Sequence, residues 1–234
     1  MEHSQFLRTE MILGENSTEN LSNKNVILFG LGGVGSYTAE ALARAGIGRI
    51  TIVDSDVVSV TNLNRQLCAL HSTVGKPKVE VVKERILDIN PNCRVTALQK
   101  FYLPENAGEF NLESYDYIAD AIDTVSAKID LAVKSQEYSI PMISCMGTGN
   151  KLDPSQFSVS DIFKTSGCPL CRVMRTELKK RKIKKLNVVW SPEIPIKPAP
   201  TTEDSGKRQT PASLPFVPPV AGMIMAGKII LDLR

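Results

Sequence analysis

Three groups of residues in this 234-residue chain have the types and spacing for phosphate chemistry. The first is the run GLGGVGS at 30–36, which supplies Gly30, Gly32, Gly33 and Gly35 in a G-x-G-x-x-G turn. Its first glycine permits the tight turn, its second lets backbone approach a phosphate, and its third lets helix pack on strand. A helix starting there offers unsatisfied N–H groups and a positive dipole end to an anion. The second group is Asp54, an acid at the end of the following strand, suited to accept both hydroxyls of a ribose. The third is a set of charges: Asn62 and Arg65 in NLNRQ, Lys78 in KPK, and Asp123 in AIDT. Arg65 and Lys78 are more cation than a dinucleotide's singly charged phosphates require, but they suit a triphosphate. Asp123 is placed to hold Mg²⁺ between phosphates. Asp56 is either a solvated turn residue or a further member of the site. No G-x-x-x-x-G-K-[ST] is present, which excludes a P-loop ATPase by pattern. The composite predicts Mg²⁺ and ATP on a Rossmann-type scaffold.

These groups need elements to carry them. Residues 26–29 read as a buried strand, 36–45 as a helix and 49–54 as a second strand, making a βαβ unit around the glycine turn. Residues 56–72 are polar and irregular. Helical spacing of Val79, Val82, Ile86 and Ile89 predicts a helix over 76–90. Strands follow at 95–98, 115–123 and 142–146, with a helix at 125–138 between the last two. A short amphipathic helix over 5–14, carrying Arg8, precedes them all. Strands alternating with helices predict an α/β fold, a Rossmann-like doubly wound and mostly parallel sheet. After Gly147 a C-terminal extension is expected: strands at 157–162 and 186–191 flanking a basic helix over 170–182, a long and partly mobile loop over 192–219, and a closing apolar helix over 220–233. The whole reads as one domain, with a nucleotide-binding core over 1–149 and a substrate-facing extension over 150–234.

Composition is that of a globular chain, 42% hydrophobic and 23% charged with a net charge of +3. The N-terminus lacks an apolar signal core, and the longest apolar run, 216–226, is broken by prolines and too short to span a bilayer. A cytoplasmic protein is therefore expected, with no membrane partner. Five cysteines fit a reducing compartment without a disulfide framework. Cys168 and Cys171 form a C-x-x-C, but zinc needs four ligands and no second pair follows, so no zinc is expected. Cys145, after a strand near the site, is read as buried and structural rather than as a nucleophile. His71 is read as a packing or polar residue rather than a ligand.

Charge is concentrated where net charge is not. Residues 164–185 hold nine basic side chains against one acid, Glu177. A solvated helix face usually mixes signs. A one-signed cluster containing Arg172, Arg175, Lys179, Lys180 and Lys182 is the footprint of a nucleic-acid backbone.

The motifs GLGGVGS, VDSD, NLNRQ, VGKPKVE and DAIDT stand in the order and spacing of the ubiquitin-activating-enzyme-like (ThiF/MoeB/HesA) adenylating family, which the chain resembles over about 6–149. Its members activate a carboxylate by attack on the α-phosphate of ATP. A narrower resemblance, carried by FLRTEMILGE, LHSTVGKPKVEVVKERILDINP, MGTGNKLDP, the basic segment and FVPPVAG, extends over nearly the whole chain and is to the tRNA threonylcarbamoyladenosine dehydratase branch. It implies ATP-dependent cyclisation of that nucleoside, with modified tRNA as partner. Carried onto this sequence, Asp54 holds the ribose, the glycine turn, Asn62, Arg65 and Lys78 hold the phosphates, and Asp123 holds the metal. Arg8 matches an arginine that reaches into the partner subunit's nucleotide site, which implies a homodimer. A sulfur-transfer protein partner is left open.

Three other readings compete. Adenylation of a sulfur-carrier protein's C-terminus usually goes with a zinc quartet or transfer cysteine, and the basic segment has no purpose in it. An NAD-dependent oxidoreductase shares the glycine turn and Asp54 but leaves Arg65, Lys78 and Asp123 unexplained. An RNA-binding module on a vestigial nucleotide fold leaves the charged constellation unexplained.

Overall fold

A computed structural model describes residues 4–200 and 211–234. Short, mostly buried runs become five parallel strands of one sheet: β1 (Asn25–Phe29), β2 (Arg49–Val53), β3 (Arg94–Leu98), β4 (Tyr117–Asp120) and β5 (Met142–Cys145). Two more follow, β6 (Ser158–Asp161) and β7 (Asn187–Trp190). The order is β3-β2-β1-β4-β5-β7-β6, all neighbours parallel except β6, which runs antiparallel to β7 at the edge. From β1 the chain builds outward through β2 and β3, then returns to lay β4 on the other side of β1. That reversal opens a crevice beyond the C-terminal ends of β1 and β4, the place where open α/β sheets bind ligands. The glycine turn leaves β1 at that end.

Side chains alternate across the pleat. Val26 and Leu28 of β1 point into one core with α3 (Gly35–Ala45), α4 (Lys78–Ile89) and α7 (Val217–Leu233), while Ile27 and Phe29 point into the other. The second core packs α5 (Val125–Glu137) and α6 (Pro169–Lys180). It also holds an aromatic cluster in which the Phe29 and Tyr102 ring centroids lie 4.9 Å apart. Two short helices, α1 (Leu7–Leu13) and α2 (Ser17–Ser22), precede the sheet.

The expected α/β sheet is present, and its differences from expectation are local. Helix α2 carries no periodic signal in six residues. The strand expected over 115–123 is confined to Tyr117–Asp120, so Asp123 lies beyond the strand end. Helix α7 begins at Val217 rather than at 220, with Pro218 and Pro219 in its first turn. Proline lacks only an N–H that a first turn leaves unpaired, so this pair opens the helix instead of delaying it. The loop expected over 192–219 therefore ends at Phe216, and its stretch 201–210 lies outside the described residues. No helix among the described residues is long and apolar enough to cross a membrane.

Candidate nucleotide and substrate cleft

A cleft of about 1020 Å³ lies at the sheet's switch point. It exceeds the roughly 300–1,000 Å³ usual for one small ligand. Gly30 takes the chain around the end of β1 at φ +87°, and a Cβ there would sit 2.7 Å from the Ala121 carbonyl oxygen. At Gly35 a Cβ would fall 1.8 Å from the Gly30 carbonyl oxygen, so helix α3 starts this close to β1 only without a side chain. Gly30, Gly32 and Gly33 line the cleft beside the N-terminus of α3.

Asp54 holds the turn as well as facing the cleft. One oxygen accepts the Leu31 N–H at 2.6 Å and the other the Asp56 N–H at 2.8 Å. Each carboxylate oxygen has a second lone pair for a ribose hydroxyl. Burial raises the Asp54 pKa above the ordinary carboxylate value, against the opposing pull of Lys78 and the two N–H donors. Ser36, which the sequence reading passed over, ties the next loop down: its hydroxyl donates to Gly32 O at 2.7 Å and accepts the Leu67 N–H at 3.1 Å.

That loop presents Asn62 and Arg65. The Arg65 guanidinium donates to Thr61 O and Asn64 Oδ1, each at 2.9 Å, and Asn62 Oδ1 accepts the Ser59 N–H at 3.1 Å. Lys78, buried at the start of α4, pairs with Asp56 at 2.8 Å. Both residues line the cleft, and Asp56, with its side chain 63% exposed, is at once solvated and the ion-pair partner of Lys78. Asp123 lines the cleft with its side chain exposed. Thr124, not Asp123, is the N-cap of α5.

Below Asp123 lies a network that sequence reasoning missed. Lys128 and Asp120 are fully buried and paired at 3.0 Å. Lys128 also donates to Ser144 Oγ at 3.2 Å and Cys145 O at 2.8 Å, while Asp120 accepts the Ile122 N–H at 3.2 Å. One buried cation thus joins the ends of β4 and β5 under the segment that carries Asp123. Its only cue is position: Lys128 shares a helical stripe with the buried Leu131 and Ala132.

The far half of the cleft comes from 145–151, the N-terminus of α6 and 211–213. Asn150 binds Ala212 through both its backbone N–H and its side-chain oxygen, at 2.8 and 2.7 Å, and Asn64 donates to Ser213 O at 3.0 Å. Residues 211–213 therefore bridge the Arg65 loop and the far half. Cys145 lies buried in the wall, where burial pushes its thiol up to about 12.

The basic segment starts at the same place. Helix α6 buries Cys171, Met174 and Leu178, leaving Arg172, Lys179 and Lys180 outward, with Lys182 just beyond. Not all nine cations are available: Arg175 is half-buried and donates to Thr165, and Lys180 and Arg181 both pair with Glu177 at 2.7 Å. Arg8 is exposed on α1 and does not line the cleft of its own chain. His71 is exposed and outside the cleft.

The donor set fits Mg·ATP. Asp123 and Asp56 are carboxylates at the cleft, and no group of three or more His, Cys, Asp or Glu side chains among the described residues forms a metal cage. Mg²⁺ usually takes one or two carboxylates and completes its shell with phosphate and water.

Comparison with known proteins agrees with this geometry. The ThiF family model matches residues 4–230. The tRNA threonylcarbamoyladenosine dehydratase of Bacillus subtilis (strain 168) is 47% identical over 98% of this chain and 94% of its own length. Crystal structures of E. coli tRNA N6-threonylcarbamoyladenosine dehydratase, TcdA, in complex with ATP and with AMP each superpose at a TM-score of 0.88 and 35% identity, covering 98% of this chain and 93% of TcdA. By the extent of that match and by the glycine turn, Asp54, Arg65, Lys78 and Asp123 gathered around one cleft, the chain belongs to the ThiF family.

Proposed function

We propose that this protein uses ATP to adenylate the carboxylate of N6-threonylcarbamoyladenosine in tRNA and promotes its cyclisation with loss of water. The observation that carries the reading is continuity: one cleft runs from the glycine turn to the N-terminus of a helix with an outward basic face. ATP occupies the half built by Gly30, Gly32, Gly33, Asp54, Asn62, Arg65 and Lys78. The threonyl side of the modified nucleoside enters the far half, and the tRNA backbone follows α6 past Arg172, Lys179 and Lys182. Mg²⁺, held by Asp123, would neutralise phosphate charge when bound.

A carboxylate oxygen attacks the α-phosphorus, and the bond to the β-phosphate breaks as pyrophosphate leaves. Arg65, Lys78 and the start of α3 stabilise the charge that builds on the phosphoryl oxygens. An atom of the same carbamoyl-nucleoside group then attacks the activated carbonyl, closes a five-membered ring, and gives up a proton as AMP departs. AMP carries away the former carboxylate oxygen, so the nucleoside is lighter by one water. Nucleophile and electrophile share a molecule, so effective molarity is high and no enzyme nucleophile is needed. This agrees with the buried, strongly upshifted thiol of Cys145. Sulfur-carrier adenylation is the second reading, but it gives the basic face nothing to do. We place the reaction in the cytoplasm.

The test is to mix the protein with Mg·ATP and tRNA, with and without threonylcarbamoyladenosine, and follow pyrophosphate and nucleoside mass. Pyrophosphate release only with the modified tRNA, and a product one water lighter, are expected. Release driven instead by a carrier-protein C-terminus would refute the proposal. Arg8 acting in trans within a homodimer makes its own demand: inactive Arg8→Ala and Asp123→Ala chains, mixed and reassembled, should regain activity. Mixed dimers would hold one complete site.

A further inference from the structure

Two buried cysteines stand at the start of α6. Cys168 is the N-cap and lines the cleft with Pro169 and Leu170, and Cys171 lies one turn into the helix. The pair therefore forms a C-x-x-C with its first cysteine at a helix N-cap and its second in the first turn, the placement in which dithiols exchange. The two thiols are electrostatically unlike. Cys168 is drawn well below an ordinary thiol by a hydrogen bond from Cys171 and by the backbone N–H groups of Cys171, Gly147 and Leu170, despite burial. Cys171 is pushed up by donating that bond and by burial. The remaining charged and titratable groups nearby are Cys145 at the end of β5, the Lys151 ammonium and Arg175. Elsewhere Cys68 and Cys93 are buried thiols pushed up to about 11, and neither lines the cleft.

We propose that Cys168 and Cys171 form a redox site opening on the cleft, with small-molecule disulfides as its substrate class. An ionised thiol paired with a protonated neighbour at a helix N-terminus is the arrangement that favours thiol–disulfide exchange. The Cys168 thiolate attacks one sulfur of R–S–S–R, whose S–S bond breaks to release RS⁻. RS⁻ takes the proton from Cys171 and leaves as RSH. The new Cys171 thiolate attacks the Cys168 sulfur, closes the protein disulfide and expels a second RS⁻. Two electrons pass from the dithiol to the small disulfide. This redox site depends on the geometry of the cleft wall and not on the identity of the RNA substrate.

Incubating the native full-length chain with oxidised glutathione, then blocking remaining thiols in acid and mapping peptides by mass, tests it. One disulfide, between Cys168 and Cys171, should form and reverse with reduced glutathione, while Cys68, Cys93 and Cys145 stay reduced. Cys171→Ser should stop at a glutathione adduct on Cys168, and Cys168→Ser should form neither product. Circular dichroism establishes that both variants fold, and the wild-type map decides the matter if either does not. A native chain that stays reduced where the urea-unfolded chain oxidises, or one that places the adduct on Cys145, overturns the proposal.

Discussion

The two walls of the cleft are built on opposite principles. On the glycine-turn side the charged groups that face the cleft are held by others: Asp54 by the Leu31 and Asp56 amides, Lys78 by Asp56, and Arg65 by Thr61 and Asn64. On the α6 side Arg172 and Lys179 stand exposed, on one face because they are seven residues apart. The first wall is pre-organised, as a site must be if its donors are to meet developing charge without reorganising. On the proposed reading the second only needs to present cations to a polyanion, and flexible lysines do that without a fixed geometry. Mutations should therefore divide: on the first wall chemistry and folding are entangled, and on the second affinity alone moves.

The largest effect is expected at Lys128. Lys128→Met leaves the Asp120 carboxylate fully buried without its cation, a loss of about 3–5 kcal/mol where a buried pair is broken. Urea unfolding should show it, and turnover should fall with it because the segment bearing Asp123 loses its support. The double variant Lys128→Met/Asp120→Leu should recover part of that stability. If the single variant is as stable as wild type, the entanglement claimed for this wall is wrong.

Asp123 marks the boundary of that claim. It is exposed and is not the cap of α5, so Asp123→Ala should leave the unfolding midpoint unchanged. Pyrophosphate release should drop by about two orders of magnitude or more, the scale seen when one electrostatic stabiliser is removed. Retained turnover would remove Asp123 from the site and leave the phosphates to Arg65 and Lys78 alone.

How much of each wall could be read from sequence follows the same division. The glycine turn was legible because a turn, a close approach and a helix start each demand glycine at fixed spacing, and because β1 is a short apolar run buried on both faces directly before it. The basic run of α6 was legible as composition. What escaped were pairings across sequence distance: Asp56 with Lys78, Lys128 with Asp120 and Ser144, and Asn150 with Ala212. No local pattern reports them, because each depends on which strand ends the topology brings together. A charge count likewise could not say that Arg175, Lys180 and Arg181 would be tied to near neighbours.

The α6 wall should respond to charge and not to shape. Arg172→Glu/Lys179→Glu reverses two outward cations, so tRNA affinity should fall. The slope of log affinity against log salt should flatten by about one for each phosphate that is no longer neutralised. Thermal unfolding and the KM for ATP should not move, since neither side chain has a partner among the described hydrogen bonds and ion pairs that the change would break. An unchanged salt slope would reduce this face to a solubilising one.

The smallest effect probes how α3 and α4, the two helices that start at the first wall, are held in register. Glu40 of α3 is 7% exposed and binds Arg44 on its own helix and Arg85 on α4, the helix whose first residue is Lys78. Burial pushes the Glu40 pKa up, but Arg85 and Arg44 outweigh it and hold the carboxyl below its ordinary 4.5. A depressed carboxylate contributes stability above its unfolded pKa and loses it as pH falls through the folded value. Both arginines are partly exposed and screened, so Glu40→Gln should cost about 1 kcal/mol at pH 7. That difference from wild type should shrink as the pH drops below 4.5 and through the lowered folded value. The KM for ATP should rise only slightly, because the glycine turn and Lys78 are each fixed by their own bonds. A large rise in KM with little loss of stability would mean that the clamp between α3 and α4, rather than the local bonds at each helix start, sets the distance between the two anion-binding ends.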